Sequence, residues 1–243
     1  MKRLILIGTK NDENAKKRSG FTLVELLIVL TIVAVLAVAT VLILNPAEIL
    51  KKSRDTQRMS DLGSIKSAIA LYLATVSTPY VGGVADDNYC LNVGASESIA
   101  VSYPVSTDFA DTTPPASWDQ DATGWLQAAG AEAGEVDGTG WIPVKISDTT
   151  GGAAISNYPI DPNHSATTEV DGLNEITNAI RMYRYSCRAA AGTPPSTFEL
   201  DANLESSYYT SGTTNAEAND GGDNASLYEV GTDLSILPST NDF

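Results

Sequence analysis

The residues with the most chemistry in them lie close together near the N-terminus. Lys16, Lys17 and Arg18 form a basic cluster that runs into Ser19 and Gly20. Phe21 to Leu44 follows as 24 residues with a single charged member, Glu25. A carboxylate in a membrane-length apolar helix costs roughly 2.5–3.5 kcal/mol on insertion scales, so such a residue is a functional candidate that needs a partner. Elsewhere the sequence is poor in catalytic groupings. His164 is the only histidine, within Asp161-Pro162-Asn163-His164-Ser165. No Ser-His-Asp set, histidine metal cluster, paired-cysteine motif or phosphate-binding glycine loop is visible, and the chain reads as a non-enzyme.

The element that positions Glu25 is the apolar run itself. About 20 apolar residues at 1.5 Å rise cross a hydrocarbon core of about 30 Å. Phe21–Leu44 meets that length and contains neither Pro nor Gly. Its N-terminal flank carries the basic cluster, while the next basic residue after it is Lys51. The positive-inside rule then keeps the N-terminus cytoplasmic and exports the bulk of the chain. A secretory signal peptide would have an apolar region of about 7–15 residues and a cut after it, near small residues such as Ala39. This run is longer, and Gly20 precedes it.

The segment Lys16-Lys17-Arg18-Ser19-Gly20-Phe21-Thr22-Leu23-Val24-Glu25-Leu26-Leu27 resembles the N-terminus of type IV prepilins and type II secretion pseudopilins. That resemblance implies cleavage by prepilin peptidase between Gly20 and Phe21, methylation of the new Phe21 amine, and retention of the whole apolar helix. It implies that Glu25 faces the Phe21 amine of a neighbouring subunit in an assembled filament. The partners so implied are further copies of the chain, minor pilins, prepilin peptidase, and an inner-membrane assembly platform with a cytoplasmic ATPase.

Charge divides the chain sharply. The first 20 residues hold six basic and two acidic groups, leaving nine and 28 after cleavage, a net of −19. From Pro79 onward, Lys145, Arg181, Arg184 and Arg188 oppose 24 acidic residues. Such a head will not hold nucleic acid through net charge, because phosphate binding needs basic groups. The low charged fraction of 19% suits an extracellular surface protein.

Asn45-Pro46 punctuates the helix. Beyond it, Leu62, Ile65, Ile69 and Tyr72/Leu73 recur at helical spacing and give one apolar stripe. The spacing predicts a helix from Phe21 to about Val76, kinked or locally melted at Asn45-Pro46. Residues 79–140 are rich in Gly, Ser, Thr, Asp and Pro and read as an expanded connecting region. Short strands at 88–93 and 98–103 and a helical turn near 117–129 are expected there. Trp118, Trp125 and Trp141 read as packing residues. Later strands are expected at 141–146, 181–187, 197–202 and 227–230, with a turn into a short helix at 203–205. A long helix followed by antiparallel strands gives an α+β fold, with the stripe laid on a small antiparallel sheet. The resulting organisation is a leader at 1–20, an apolar helix at 21–45, an amphipathic helix at 46–78 and a head at 79–243.

The head carries weaker resemblances. Tyr158-Pro159-Ile160-Asp161-Pro162 followed by Tyr183-Arg184-Tyr185 resembles the head of the type II secretion major pseudopilin. Phe198-Glu199-Leu200, Leu204-Glu205-Ser206 and Tyr228-Glu229-Val230-Gly231 resemble the sheet and tail of bacterial pilin-like proteins. Major pseudopilins can hold calcium in a C-terminal loop; here Glu217, Asn219, Asp220, Asp223, Asn224 and Asp233 offer oxygen ligands around Gly221-Gly222, with Asp220, Asp223, Asn224 and Asp233 as the candidate set and a solvated acidic turn as the alternative. No other cofactor is implied. Cys90 and Cys187 both follow the apolar run, and an even count in an exported domain suggests one disulfide, with two buried thiols as the alternative. The sequence therefore reads as a structural subunit of a type IV pilus or a type II secretion pseudopilus. It would sit first in the bacterial inner membrane as a single-pass protein and then in a surface filament or periplasmic pseudopilus. A membrane-tethered extracellular binding protein using the same leader is the alternative.

Overall fold

The computed structural model describes residues 20–82, 91–92, 97–102, 122–126, 134–163, 181–189 and 196–237. It divides into two compact units, with the boundary between Pro46 and Ala47.

The first unit is the helix α1, Leu23–Leu44. Its described side chains are exposed all round, the large apolar ones from Ile43 at 82% to Ile28 at 49%. A helix apolar on every side has no polar face to offer water, which is the pattern of a buried or membrane-spanning segment. It is long and apolar enough to cross a membrane by length and composition. Asn45 ends it in the left-handed region, with φ 40° and ψ 70°. The short side chain of Asn tolerates that conformation better than most residues. Pro46 then opens α2, Pro46–Thr75, at the position where a missing N–H costs least. The helix pattern read across 21–76 is thus two helices separated at the Asn45-Pro46 punctuation.

The second unit packs α2 on a sheet. The sheet contains β1 (Leu91–Asn92), β2 (Glu97–Val101), β3 (Ala122–Leu126), β4 (Tyr183–Ala189), β5 (Thr197–Ala202) and β6 (Tyr228–Gly231). Its order is β3-β2-β4-β5-β6, and β1 pairs with β4. β2, β4, β5 and β6 form an antiparallel four-stranded core, while β1 and β3 join in parallel. The fold is α+β, as the pattern predicts. A short helix, α3 (Ser207–Thr210), follows β5.

Alternation explains the packing. Tyr183, Tyr185 and Cys187 of β4, with Phe198, Leu200 and Ala202 of β5, face Leu62, Ile65, Ala68, Ile69 and Tyr72 of α2. Burying each such apolar side chain contributes about 1.5–3 kcal/mol. The opposite sheet face is also buried, but polar: Arg184, Ser186, Glu199 and Asp201 are all at most 1% exposed. Gly231 is required at the β5–β6 crossing, because a Cβ there would overlap the backbone of Phe198 and Glu199.

Two elements differ from the sequence reading. Trp141–Ile146 is not a strand. Trp141, Ile142, Val144 and Ile146 are all buried along non-repetitive chain that ends in a 3-10 turn at Ile146–Asp148. Pro143 lacks the N–H a central ladder needs, and the burial pattern does not alternate. The expected helical turn near 117–129 contains β3 instead, whose partner β2 sits more than 20 residues earlier. Trp118 and His164 lie outside the described residues.

Candidate functional site

Gly20 and Phe21 are exposed and non-helical, and the helix begins only after Thr22. The reason is local. Thr22 is the N-cap residue: its Oγ1 accepts from the Glu25 N–H at 3.2 Å. Glu25 Oε2 in turn accepts from the Thr22 N–H and the Thr22 hydroxyl, both at 2.9 Å. This reciprocal capping box satisfies two of the orphan donors at the helix start. A Thr-x-x-Glu spacing before an apolar run is its sequence signal, so Thr22 was there to be found. The box starts the helix after Thr22 and leaves Gly20–Phe21 outside it. A Cβ added at Gly20 would meet nothing within 4 Å. Among the described residues, nothing requires glycine at that position.

The second site joins α2 to the head through buried charge. Arg58 is completely buried. Its guanidinium donates from Nε and Nη2 to Asp161 at 2.7 and 2.9 Å, and from Nη1 to Asp55 at 2.8 Å and Glu205 at 2.6 Å. Arg54 adds a forked pair to Glu205 at 2.8 and 2.7 Å. Asp55 also accepts the N–H groups of Glu205 and Ser206, tying down the entry to α3. Burial opposes ionisation of Glu205, but the hydrogen bonds and charges of Arg54 and Arg58 outweigh it and hold the carboxyl down at about 2.

The head motifs converge on this contact. Asp161, from the Pro159-Ile160-Asp161-Pro162 run, is the main Arg58 partner. Pro159 accepts the Trp141 indole N–H at 3.0 Å, and the Tyr158 hydroxyl donates to the Val144 carbonyl at 2.8 Å. The Tyr183 hydroxyl donates to Asp61 on α2 at 2.9 Å, and the Tyr185 hydroxyl to Val81 at 2.6 Å. Burial first, then the neighbouring Asp61 charge, raises the Tyr183 hydroxyl above its ordinary range. Sequence reasoning noticed these motifs but missed Arg58 and Asp55. Their three-residue spacing on the buried face was a signal, whereas Asp161 and Glu205 are over 100 residues away in sequence.

The acidic loop is arranged differently from the expected ligand set. Asp220 accepts from the Gly222 and Glu229 N–H groups at 2.9 and 2.7 Å. Asn224 accepts from the Ser226 N–H at 3.0 Å and is 1% exposed. Asp233 pairs with Arg188 at 3.1 Å. Of the four expected residues, Asp223 instead joins Glu199 and Glu229, whose carboxylate oxygens lie within 4.8 Å of one another. Glu199 Oε2 accepts from Ile236 and Leu237 at 2.7 and 2.8 Å, while its Oε1 is buried without a hydrogen-bond partner. A Cβ at Gly222 would overlap the Glu229 carboxylate. Three carboxylates around one point supply the hard oxygen donors that calcium accepts. Burial and the adjacent Glu229 carboxyl raise Glu199 to about 9.

Cys187 is disulfide-bonded and completely buried. The chain holds one other cysteine, Cys90, which lies outside the described residues.

Residues 15–41 match the family model for the prokaryotic N-terminal methylation motif. The match supports a type IV pilin-like or pseudopilin-like protein and covers the basic cluster, Gly20, Phe21, Thr22 and Glu25. No curated protein and no solved structure matches. A prepilin-type leader followed by an apolar helix is consistent with a membrane-anchored chain.

Proposed function

We propose that this chain is a structural filament subunit. Prepilin peptidase removes residues 1–20, and the Phe21 amine is methylated. The mature chain waits in the inner membrane through Phe21–Leu44, with its head outside the cytoplasm. An ATPase-driven platform then draws it, with minor pilins, into a type IV pilus or a secretion pseudopilus. The apolar helices bundle in the filament core, and the acidic heads form its surface.

The observation that carries this reading is the arrangement at the helix start. A non-helical Gly20–Phe21 bond directly precedes a capped helix whose third residue is a carboxylate. Within the single chain, Thr22 occupies Glu25. During assembly the amine of a neighbouring Phe21 takes over. That amine has an ordinary pKa of about 7.7–8.0 and is mostly protonated at neutral pH. A subunit out of register would bury both charges unpaired, which fixes the axial position.

The test is expression beside a prepilin peptidase with mass spectrometry of the product. Wild type should start at Phe21, and Gly20→Val should keep its leader while folding normally. Because a Cβ at Gly20 meets nothing within 4 Å among the described residues, a retained leader reports on the peptidase. Wild type that keeps residues 1–20 would exclude this function. Processed protein that stays monomeric and never enters filaments would favour the tethered binding protein.

A further inference from the structure

A membrane helix is usually anchored at each interface by Trp or Tyr and by Lys or Arg. This chain has no aromatic residue between Phe21 and Tyr72, so the exit end of α1 lacks that anchor in sequence. The fold supplies one in space. Lys52 Nζ stands 3.3 Å from the ring centroid of Tyr208 and 5.9 Å from that of Tyr209. The two tyrosines pack edge to face at 4.8 Å. Two further contacts hold them there. Glu48 accepts from the N–H and hydroxyl of Ser207 at 2.5 and 2.7 Å, and Thr56 Oγ1 lies 3.3 Å from the Tyr209 hydroxyl.

The surface so formed has interfacial composition. Ile49, Leu50 and Tyr208 are 56%, 60% and 43% exposed. Lys51 and Lys52 are half-buried, and the Lys52 ammonium lies on the Tyr208 ring; long cationic side chains can lay methylenes on apolar surface and still present the ammonium at an interface. Glu48 is the single acidic group on the first two turns of α2, and Ser207 engages it.

Chain length fixes where this surface can be. Lys52 lies eight residues beyond Leu44. Eight residues span about 12 Å as continuous helix. The polar layer on each side of the hydrocarbon is about 5–7 Å thick, and a lysine side chain reaches across most of the remainder. The first turn of α2 therefore starts at the headgroup layer.

We propose that Ile49, Leu50, Lys51, Lys52, Tyr208 and Tyr209 form a docking surface for the headgroup layer of the bilayer that α1 crosses. The aliphatic side chains and tyrosine rings enter the upper acyl region, and the lysine ammonium groups meet lipid phosphates. The head is thereby held at the membrane until the subunit is extracted. The proposal rests on the membrane-spanning reading of Phe21–Leu44.

Site-directed spin labelling of the full chain tests it, in nanodiscs of phosphatidylethanolamine and phosphatidylglycerol. The native disulfide leaves a single introduced cysteine free for the label. Labels are placed by Val33→Cys in the span, Ser211→Cys beside the tyrosines and Ser64→Cys further along α2. Expected is a Val33 label reached by oxygen but not by a water-soluble nickel chelate, and a Ser64 label reached freely by the chelate. The Ser211 label should be at least threefold less accessible to the chelate than the Ser64 label, and Lys51→Gln with Lys52→Gln should remove most of that difference. Equal accessibility at Ser211 and Ser64, with Val33 in lipid, overturns the proposal alone. A water-exposed Val33 label overturns the membrane reading and the proposal with it.

Discussion

In the single chain Glu25 is held by its own Thr22; in the proposed filament a neighbour's amine would take that place. Replacing Glu25 separates processing from assembly. Glu25→Leu should be cleaved at Gly20 and inserted, yet enter filaments at least about tenfold less than wild type. An unpaired ion in an apolar core costs several kcal/mol, and each 1.4 kcal/mol is a factor of ten. Quantifying sheared filaments against total membrane protein checks this; wild-type yield would refute the register role. Glu205 gives a second expectation at this scale. Its folded pKa of about 2 lies below the ordinary 4.3, so below pH 4.3 the unfolded chain takes up the proton first. Its stabilising contribution is present above that value and is lost as pH falls towards 2. Thermal unfolding of full-length protein in detergent between pH 5 and 2 should show a shallower acid loss for Glu205→Gln than for wild type.

The element-scale question is what fixes α2 against the head. Apolar packing contributes, and among the described residues Arg58 pairs with Asp55, Asp161 and Glu205 together. Removing it leaves buried carboxylates uncompensated. Arg58→Ala should lower stability by about 3–5 kcal/mol, measured by urea unfolding of full-length protein. A loss below about 1 kcal/mol would mean that the helix is held by the apolar stripe alone. The same contact shows which elements were legible. β4 and β5 were read correctly because alternation is a property of neighbouring residues: Tyr183, Tyr185 and Cys187 face one way, Arg184 and Ser186 the other. The stretch 141–146 was misread because its burial depends on what Tyr158 and α2 bring against it. β3 was missed because Ala122-Thr123-Gly124-Trp125-Leu126 becomes a strand only through its parallel partner.

At the scale of the whole molecule, the head is stapled by the Cys187 disulfide. A bridge from Cys187 to the chain's other cysteine closes a loop of nearly a hundred residues. The chain-entropy model assigns such a loop roughly 4–5 kcal/mol as an upper figure. Reductant should therefore shift the urea midpoint of the full chain downward by an amount within that limit. An unchanged midpoint would show that the head's core suffices without the bridge.

By itself the sequence determined the N-terminal methylation motif, the membrane-length helix, the break at Asn45-Pro46 and the α+β class. Each of these depends on residues within a few positions of one another: a charge cluster beside an apolar run, a helical or strand period, a proline. The carboxylate at position 25 was legible for the same reason, since its oddity is local. Only tertiary structure decided that Arg58 gathers acids from three parts of the chain. It alone placed Asp223 with Glu199 and Glu229 while Asp220, Asn224 and Asp233 take other partners. It alone set Tyr208 beside Lys52. Ion pairing, shared ligation and aromatic contact depend on distance in space, and sequence separation carries no record of that distance until the chain has folded.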